Sequence, residues 1–316
     1  MKRFTLANLL FSILVLLFII FAAVLPGIDR TLTMRLNQHA IPVFTKFMGR
    51  TLFQGGLPGG GDLIIFSMLA VIVGYFLGSF AKGPIWLQRW LPSLGFALFG
   101  GITTAVCLVH GIKWFVGRAR PSEVVSKGLA YSDWYHFGPH YINQGIYRGS
   151  FPSGHTLAAF LIMLGAYILA GDRSYSLKLR AGGWGIGLLA LIYAGGMSVA
   201  RAMSLSHWLS DGVLGILLGW MVMHACYYWV LRVPQQNRHP EIRAQLPKLF
   251  EFRLGLLALL CTFGLTCTLL GLRGIFVVGL HPLLLLLPIG LVVCFWSARK
   301  GLQLYRFFLR QLEASG

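Results

Sequence analysis

GSFPSGHTLAAFLIMLGAYILAG, residues 149–171, divides into a polar lead with Pro152, Ser153, Gly154 and His155 and an apolar run without a charge. A bilayer core about 30 Å thick takes roughly 20 apolar residues per helical crossing. The run therefore reads as a membrane span, and the polar lead as its mouth. Seven further segments read the same way, so that spans are expected near residues 5–26, 62–80, 94–115, 155–171, 182–200, 208–231, 254–272 and 275–297. The composition agrees. Only 11% of residues are charged and the mean hydropathy is +0.71, against roughly 25% charged residues in soluble domains.

The expected fold is an all-α polytopic helix bundle. Residues 1–231 form a six-span core with outer loops 27–61 and 116–154. A basic linker (232–253), a two-span hairpin (254–297) and a basic tail (298–316) follow. The first segment follows Met-Lys-Arg as a signal peptide would, but its apolar stretch exceeds the 7–15 residues of a cleavable one, and it reads as an uncleaved span. The outer segment 27–61 reads as an amphipathic helix lying in the interface. Its glycine-rich piece QGGLPGGGD (54–62) lacks the Gly-Lys-Ser/Thr ending of a nucleotide loop and reads as a turn. The five cysteines fall inside spans without ligand spacing and read as packing residues.

The net charge of +18 raises the question of nucleic acid. Its distribution answers it. With a cytoplasmic amino terminus, most Lys and Arg fall on the inner side, as the positive-inside rule requires. The charge thus reports topology and contact with an anionic leaflet, and no nucleic-acid partner is expected.

Three clusters place ionisable residues at span ends, where they are costly and point to function. The first is Lys113-x6-Arg120-Pro121. Seven residues are two helical turns, which predicts both cations on one face about 10 Å apart, with Pro121 ending the helix; such cations also serve as headgroup anchors. The second is Pro152-Ser153-Gly154-His155. Ser153 is a helix cap, Gly154 permits close backbone approach, and the helix start offers amide donors to a phosphate. The third is Arg201-x5-His207-x3-Asp211, where a spacing of four predicts His207 and Asp211 stacked on one helix face. Alternating spans bring all three clusters to the same, outer side.

Fixed cations, amide donors and two histidines suit an anion with several oxygens. Metal-dependent phosphoryl transfer needs clustered carboxylates, whereas Asp211 stands alone among these motifs. No cofactor and no metal are expected. In the resulting scheme His207, oriented by Asp211, attacks phosphorus and His155 protonates the leaving oxygen. Lys113, Arg120, Arg201, Ser153 and the Gly154 amide hold the phosphate oxygens.

In order and spacing these three motifs resemble those of the type-2 phosphatidic acid phosphatase superfamily of membrane lipid phosphatases, over roughly residues 60–231. The resemblance implies a six-helix core and metal-independent dephosphorylation of lipid phosphates. Polyprenyl diphosphate, phosphatidylglycerol phosphate, phosphatidic acid and lipid A phosphates are the substrates it suggests. It also implies a bacterial inner-membrane location with the site facing the periplasm or exterior. One departure is Ala200, where the family usually has serine before the motif arginine. Transfer of the phosphoryl group to another lipid and transport of an anionic lipid are the alternatives.

Arg118 and Arg148 flank the first two motifs as candidates for a second phosphate or a headgroup. His110 reads either as a pocket residue or as a core histidine. His136 and His140 read as polar loop residues, and His224 as lying near the opposite surface. The loop aromatics Tyr131, Trp134, Tyr135, Tyr141 and Tyr147 are expected to sit against headgroups.

Overall fold

A computed structural model describes residues 6–49, 60–80, 84–136, 148–276 and 282–314. The glycine-rich stretch 54–59, His140, Tyr141 and Tyr147 lie outside the described residues. Among those described the structure is helical, with no strand. Six helices are long and apolar enough to cross a membrane: Leu6–Gly27, Leu91–Lys127, Leu177–Met203, Leu209–Arg238, Phe250–Ile275 and Pro282–Ala314. Two shorter apolar helices, Ile64–Ser79 and Gly154–Ala170, fill the other two positions read from the sequence. The protein is a multi-pass helical membrane bundle.

The amino-terminal part comprises α1 (Leu6–Val24), α2 (Asp29–Gln38), α3 (Pro42–Gly49) and α4 (Gly60–Ser79). A short α5 (Ile85–Arg89) leads into α6 (Leu91–Gly101), which passes through a π-helical stretch, Ile102–Leu108, into α7 (Val109–Val116). Thr103 marks that stretch, its hydroxyl donating back to the Phe99 carbonyl at 2.9 Å. The wider turn changes the azimuth at which α7 presents Lys113. After α8 (Pro121–Lys127) come α9 (Gly154–Phe160) and α10 (Met163–Ala170), then α11 (Leu177–Met203) and α12 (Leu209–Ala225). Ser176 caps α11, accepting from the Leu179 N–H.

α11 and α12 are the centre of the bundle. α1 packs on α12, α2 and α3 pack on α11, and α9 packs on both. The main core gathers Phe96, Phe160, Met197, Met223 and Tyr227. Close approach of α11 to α12 needs Gly212, because a side-chain carbon there would overlap the Ser198 hydroxyl.

One expectation is corrected. Residues 29–38 do not form an amphipathic helix with only an apolar face turned from water, because α2 buries the polar Asp29 and Thr33. The basic stretch 232–253 is largely helical. It forms α13 (Val233–Arg238), α14 (Pro240–Gln245) and the start of α15 (Phe250–Phe276), and it buries Val233, Ile242 and Phe250 completely. Residues 298–314 continue α16, which runs unbroken over Leu286–Ala314 and buries Phe308 against Phe250. α15 and α16 pack along each other at Gly264 and Gly290, where an added carbon on Gly264 would come within 2.5 Å of the Cys294 nitrogen.

Gly212→Val forces α11 and α12 apart and is expected to cost about 1–3 kcal/mol, the usual range for overpacking. It should lower the thermal unfolding midpoint in detergent. Gly182→Ala, at a site with nothing within 4 Å, should leave that midpoint unchanged or raise it.

Candidate active site

The first motif is split between two helices. α7 ends at Val116, and Gly117 takes the left-handed conformation (φ 59°) with its N–H donating to the Lys113 carbonyl. This is a common glycine helix stop. Arg120 is extended and serves as the N-cap of α8, with Pro121 at the first helical position. The expected single helix through Lys113 and Arg120 is therefore not found. Glycine ends it early, and Pro121 begins the next helix because its missing N–H is no loss there. The two cations still act on each other electrostatically.

The second motif is laid directly on the first. Gly149 N–H donates to the Lys113 carbonyl at 3.2 Å and Ser150 N–H to the Arg118 carbonyl at 2.8 Å. A Cβ on Gly149 would sit 2.5 Å from the Arg118 nitrogen, so only glycine permits this approach. The buried Lys113 ammonium donates to the carbonyls of Gly149 (3.2 Å) and Ser150 (3.1 Å). An ammonium has three N–H groups, and two of them are committed to these carbonyls. Ser153 caps α9 as expected, accepting from the Thr156 N–H at 3.4 Å. Its own N–H donates to the Asp211 carbonyl at 3.0 Å. Gly154 and His155 form the first turn of α9.

In the third motif the chain leaves α11 and folds back on Arg201, whose carbonyl accepts from the N–H groups of Ser206 (3.0 Å) and His207 (3.3 Å). Trp208 is the N-cap of α12. His207 thus precedes the helix, and the expected stacking of His207 and Asp211 on one helix face does not occur. Asp211, in the first turn of α12, reaches back instead: its Oδ2 accepts the Trp208 N–H at 2.9 Å and faces His207 Nδ1 at 3.4 Å. Carboxylate and imidazole still meet, through helix capping. Trp208 Nε1 donates to the Ala119 carbonyl at 2.8 Å, which ties this turn to the first motif.

The charges of Lys113, Arg120, Arg148 and Arg201 all act on the His155 ring, and those of Lys113 and Arg201 act on His207. Arg201 Nε is buried without a hydrogen-bond partner among the described residues. Burial pushes the His207 imidazole down to about 4 despite the opposing hydrogen bond from Asp211. The ring is neutral near pH 7, with Nδ1 on the carboxylate and Nε2 as the remaining nitrogen. Among the described residues no group of three or more His, Cys, Asp or Glu side chains is arranged to hold a metal ion.

Arg118 is not available to a headgroup. It is fully buried, and its Nε donates to the Ser132 carbonyl at 2.8 Å. Nη1 donates to Asp211 Oδ1 (2.7 Å) and Ser210 Oγ (2.7 Å), and Nη2 to Asp29 Oδ2 (2.9 Å). The guanidinium lies 5.6 Å from the Tyr131 ring and 5.4 Å from the Trp208 ring. Tyr131 and Trp134 accordingly turn inward rather than toward headgroups; Trp134 Nε1 donates to the Ala22 carbonyl. Arg148 is exposed, beside the motif cations. His110 is half-buried and feels the charges of Arg148 and Lys113. His136 is exposed, 3.9 Å from Asp133. His224 is buried far from the motifs, bonded to the Tyr167 hydroxyl at 2.9 Å and in ring contact with Phe11. Ala200 is buried on α11.

Sequence reading missed Asp29, Ser210 and Trp208. Asp29, an acidic residue just past a span in a chain with nine, was the one available signal. Burial raises its carboxyl above the ordinary range, while Arg118 and Ser210 pull it back. A cavity of about 920 Å³ at Arg89, Tyr175, Gln236 and Arg243 shares no residue with the motif cluster.

The three motifs lie within one stretch of chain that also matches a known family. Residues 94–234 match the model of the PAP2 superfamily. Over that segment, less than half of its length, the chain is similar to a superfamily of phosphatases. Neither the comparison with curated proteins nor that with solved structures gave a match. The PAP2 segment holds every motif residue, but Asp29 and the helix that carries it lie outside it.

Arg118→Ala would leave two buried carboxylates without their cation. Breaking a buried ion pair from one side costs about 3–5 kcal/mol, and the variant is expected to lose its cooperative melt in detergent. Arg148→Ala, at an exposed position, should melt like the parent.

Proposed function

We propose that the protein is an integral-membrane lipid phosphate phosphatase that hydrolyses a lipid phosphomonoester or diphosphate through a phosphohistidine, without a metal ion. One observation carries the reading: a buried neutral imidazole, His207, has Nδ1 against Asp211 while the charges of Lys113 and Arg201 act on it. That is the environment a nitrogen nucleophile needs to approach an anionic phosphorus.

His207 Nε2 attacks phosphorus in line, and the bond from phosphorus to the leaving oxygen breaks. His155, entering the step as an imidazolium, gives that oxygen its proton and is left as the neutral base. Water then attacks the phosphohistidine, the N–P bond breaks, and His155 takes the water's proton as inorganic phosphate leaves. Asp211 holds the imidazole and stabilises the cation that forms on it, the role an aspartate plays in hydrolytic triads. Lys113, Arg120 and Arg201 balance the phosphate charge. The Ser153 hydroxyl and the Gly154 amide, at the start of α9, add donors. Arg148 stands at the rim, where a second phosphate of a diphosphate substrate would lie.

The charge bias supports a bacterial inner-membrane protein whose site faces the periplasm or exterior. The same phosphohistidine passing its group to a lipid hydroxyl would make the protein a phosphotransferase. A transport path would spread ionisable groups through several mid-membrane positions, and here they gather at span ends.

Purified protein in EDTA should release phosphate from a panel of lipid mono- and diphosphates. No release from any member would overturn the reading. His207→Ala should abolish turnover and retain the parent's melt. Because His207 acts as a neutral base titrating at about 4, protonation removes the nucleophile as pH falls through that value. kcat/KM should therefore not decline from His207 between neutral pH and about pH 5. Arg148→Ala should raise KM for a lipid diphosphate more than for the matching monophosphate, by on the order of tenfold against twofold, as loss of a charged hydrogen bond does.

A further inference from the structure

α2 lies outside the PAP2 segment, yet it caps the turn that carries His207. Three of its residues, Asp29, Thr33 and Asn37, are spaced four apart and so share one face. Asn37 Nδ2 donates to the carbonyl of Met203, the last residue of α11, at 2.7 Å. Thr33 Oγ1 accepts the Leu209 N–H at 3.1 Å, and Asp29 Oδ1 accepts the Ser210 N–H at 2.9 Å. Leu209 and Ser210 are the first two residues of α12, and their amides have no partner within that helix. One helix thus satisfies the end of α11 and the start of α12, and fixes the residues between them.

Asp29 does more than cap. Both of its oxygens act as acceptors, Oδ1 from Ser210 N–H and Oδ2 from Arg118 Nη2 and the Ser210 hydroxyl. A carboxyl group that only accepts is ionised. Arg118 therefore sits between two buried carboxylates, Asp29 and Asp211, each about 1% exposed or less. With Arg118 and Asp211 alone the charges would cancel, and the guanidinium would draw Asp211 away from its imidazole. Asp29 restores one net negative charge behind His207. On the other side, Lys113 and Arg201 act on the same ring.

We propose that Asp29 is a positioning residue for His207. Through Arg118 it keeps the Asp211 carboxylate oriented and charged toward the ring, so that a helix outside the PAP2 segment sets the strength of the nucleophile. The proposal rests on His207 being that nucleophile.

The test compares the full-length parent with Asp29→Asn, which keeps the shape and removes the charge. Phosphate release from a lipid phosphate should fall on the order of tenfold in kcat, with KM within about twofold, as for an interaction made chiefly in the transition state. In ¹⁵N-histidine-labelled protein, the Nδ1–H proton resonance of His207, assigned by its absence in His207→Ala, should move upfield. Gly182→Ala, at a site with nothing within 4 Å, should keep both kcat and the resonance near the parent's. If Asp29→Asn does not fold, Asp29→Asn/Arg118→Gln, with the native net charge, is compared instead and should keep the resonance within the parent's range; its displacement would overturn the proposal. An unmoved resonance in Asp29→Asn would overturn it whatever the rate does, because a purely structural loss lowers kcat without that shift. A parent that releases no phosphate would remove the proposed function, while the resonance would still decide the role of Asp29.

Discussion

The guanidinium of Arg118 is the interaction on which the candidate site depends. It is a permanent cation with no exposed surface, held by two carboxylates, a backbone carbonyl and a hydroxyl. Isolated, such a charge would be prohibitively costly to bury. Its partners arrive from α2, from the loop after α8 and from the first turn of α12, so the cost is met only when all three elements are in place. One charge thereby fixes the relative positions of segments about ninety residues apart on either side in sequence.

Helix ends do the rest. Each motif lies where a helix starts or stops, and backbone groups left over at those ends are used for assembly. Gly117 stops α7, Pro121 starts α8, Ser153 caps α9 and Asp211 caps α12. The leftover groups then bind across motifs: Ser153 N–H to the Asp211 carbonyl, Gly149 N–H to the Lys113 carbonyl, and Trp208 Nε1 to the Ala119 carbonyl. Polar residues that read as catalytic in the sequence are thus also the ones that close the helix ends. Lys113 shows the overlap, with two of its three N–H groups committed to the backbone of the second motif.

The site faces a charge problem that this architecture resolves. The charges of four cations act on His155, which suits a phosphate dianion but works against the imidazolium that each step of the proposed reaction requires. Asp211 alone, paired with Arg118, offers little net charge in return. The second carboxylate, Asp29, comes from a helix that the family segment does not include, and in the proposed scheme it lets the candidate pocket be cationic on one side and anionic on the other.

The sequence by itself determined the helical class, the apolar segments that become the bundle's helices, and the three motifs with His207, Asp211, His155 and their cations. Those features are set by local rules, namely apolar run length, cap chemistry and spacing, which act over a few residues. It misplaced Arg118, Tyr131 and Trp134, because a basic or aromatic residue looks alike at a headgroup and in a core. Only the tertiary structure decided which charges pair. The partner of Arg118 lies 89 residues away in one direction and 93 in the other, and no local pattern encodes a contact whose free energy exists only once water has been removed from all of its members.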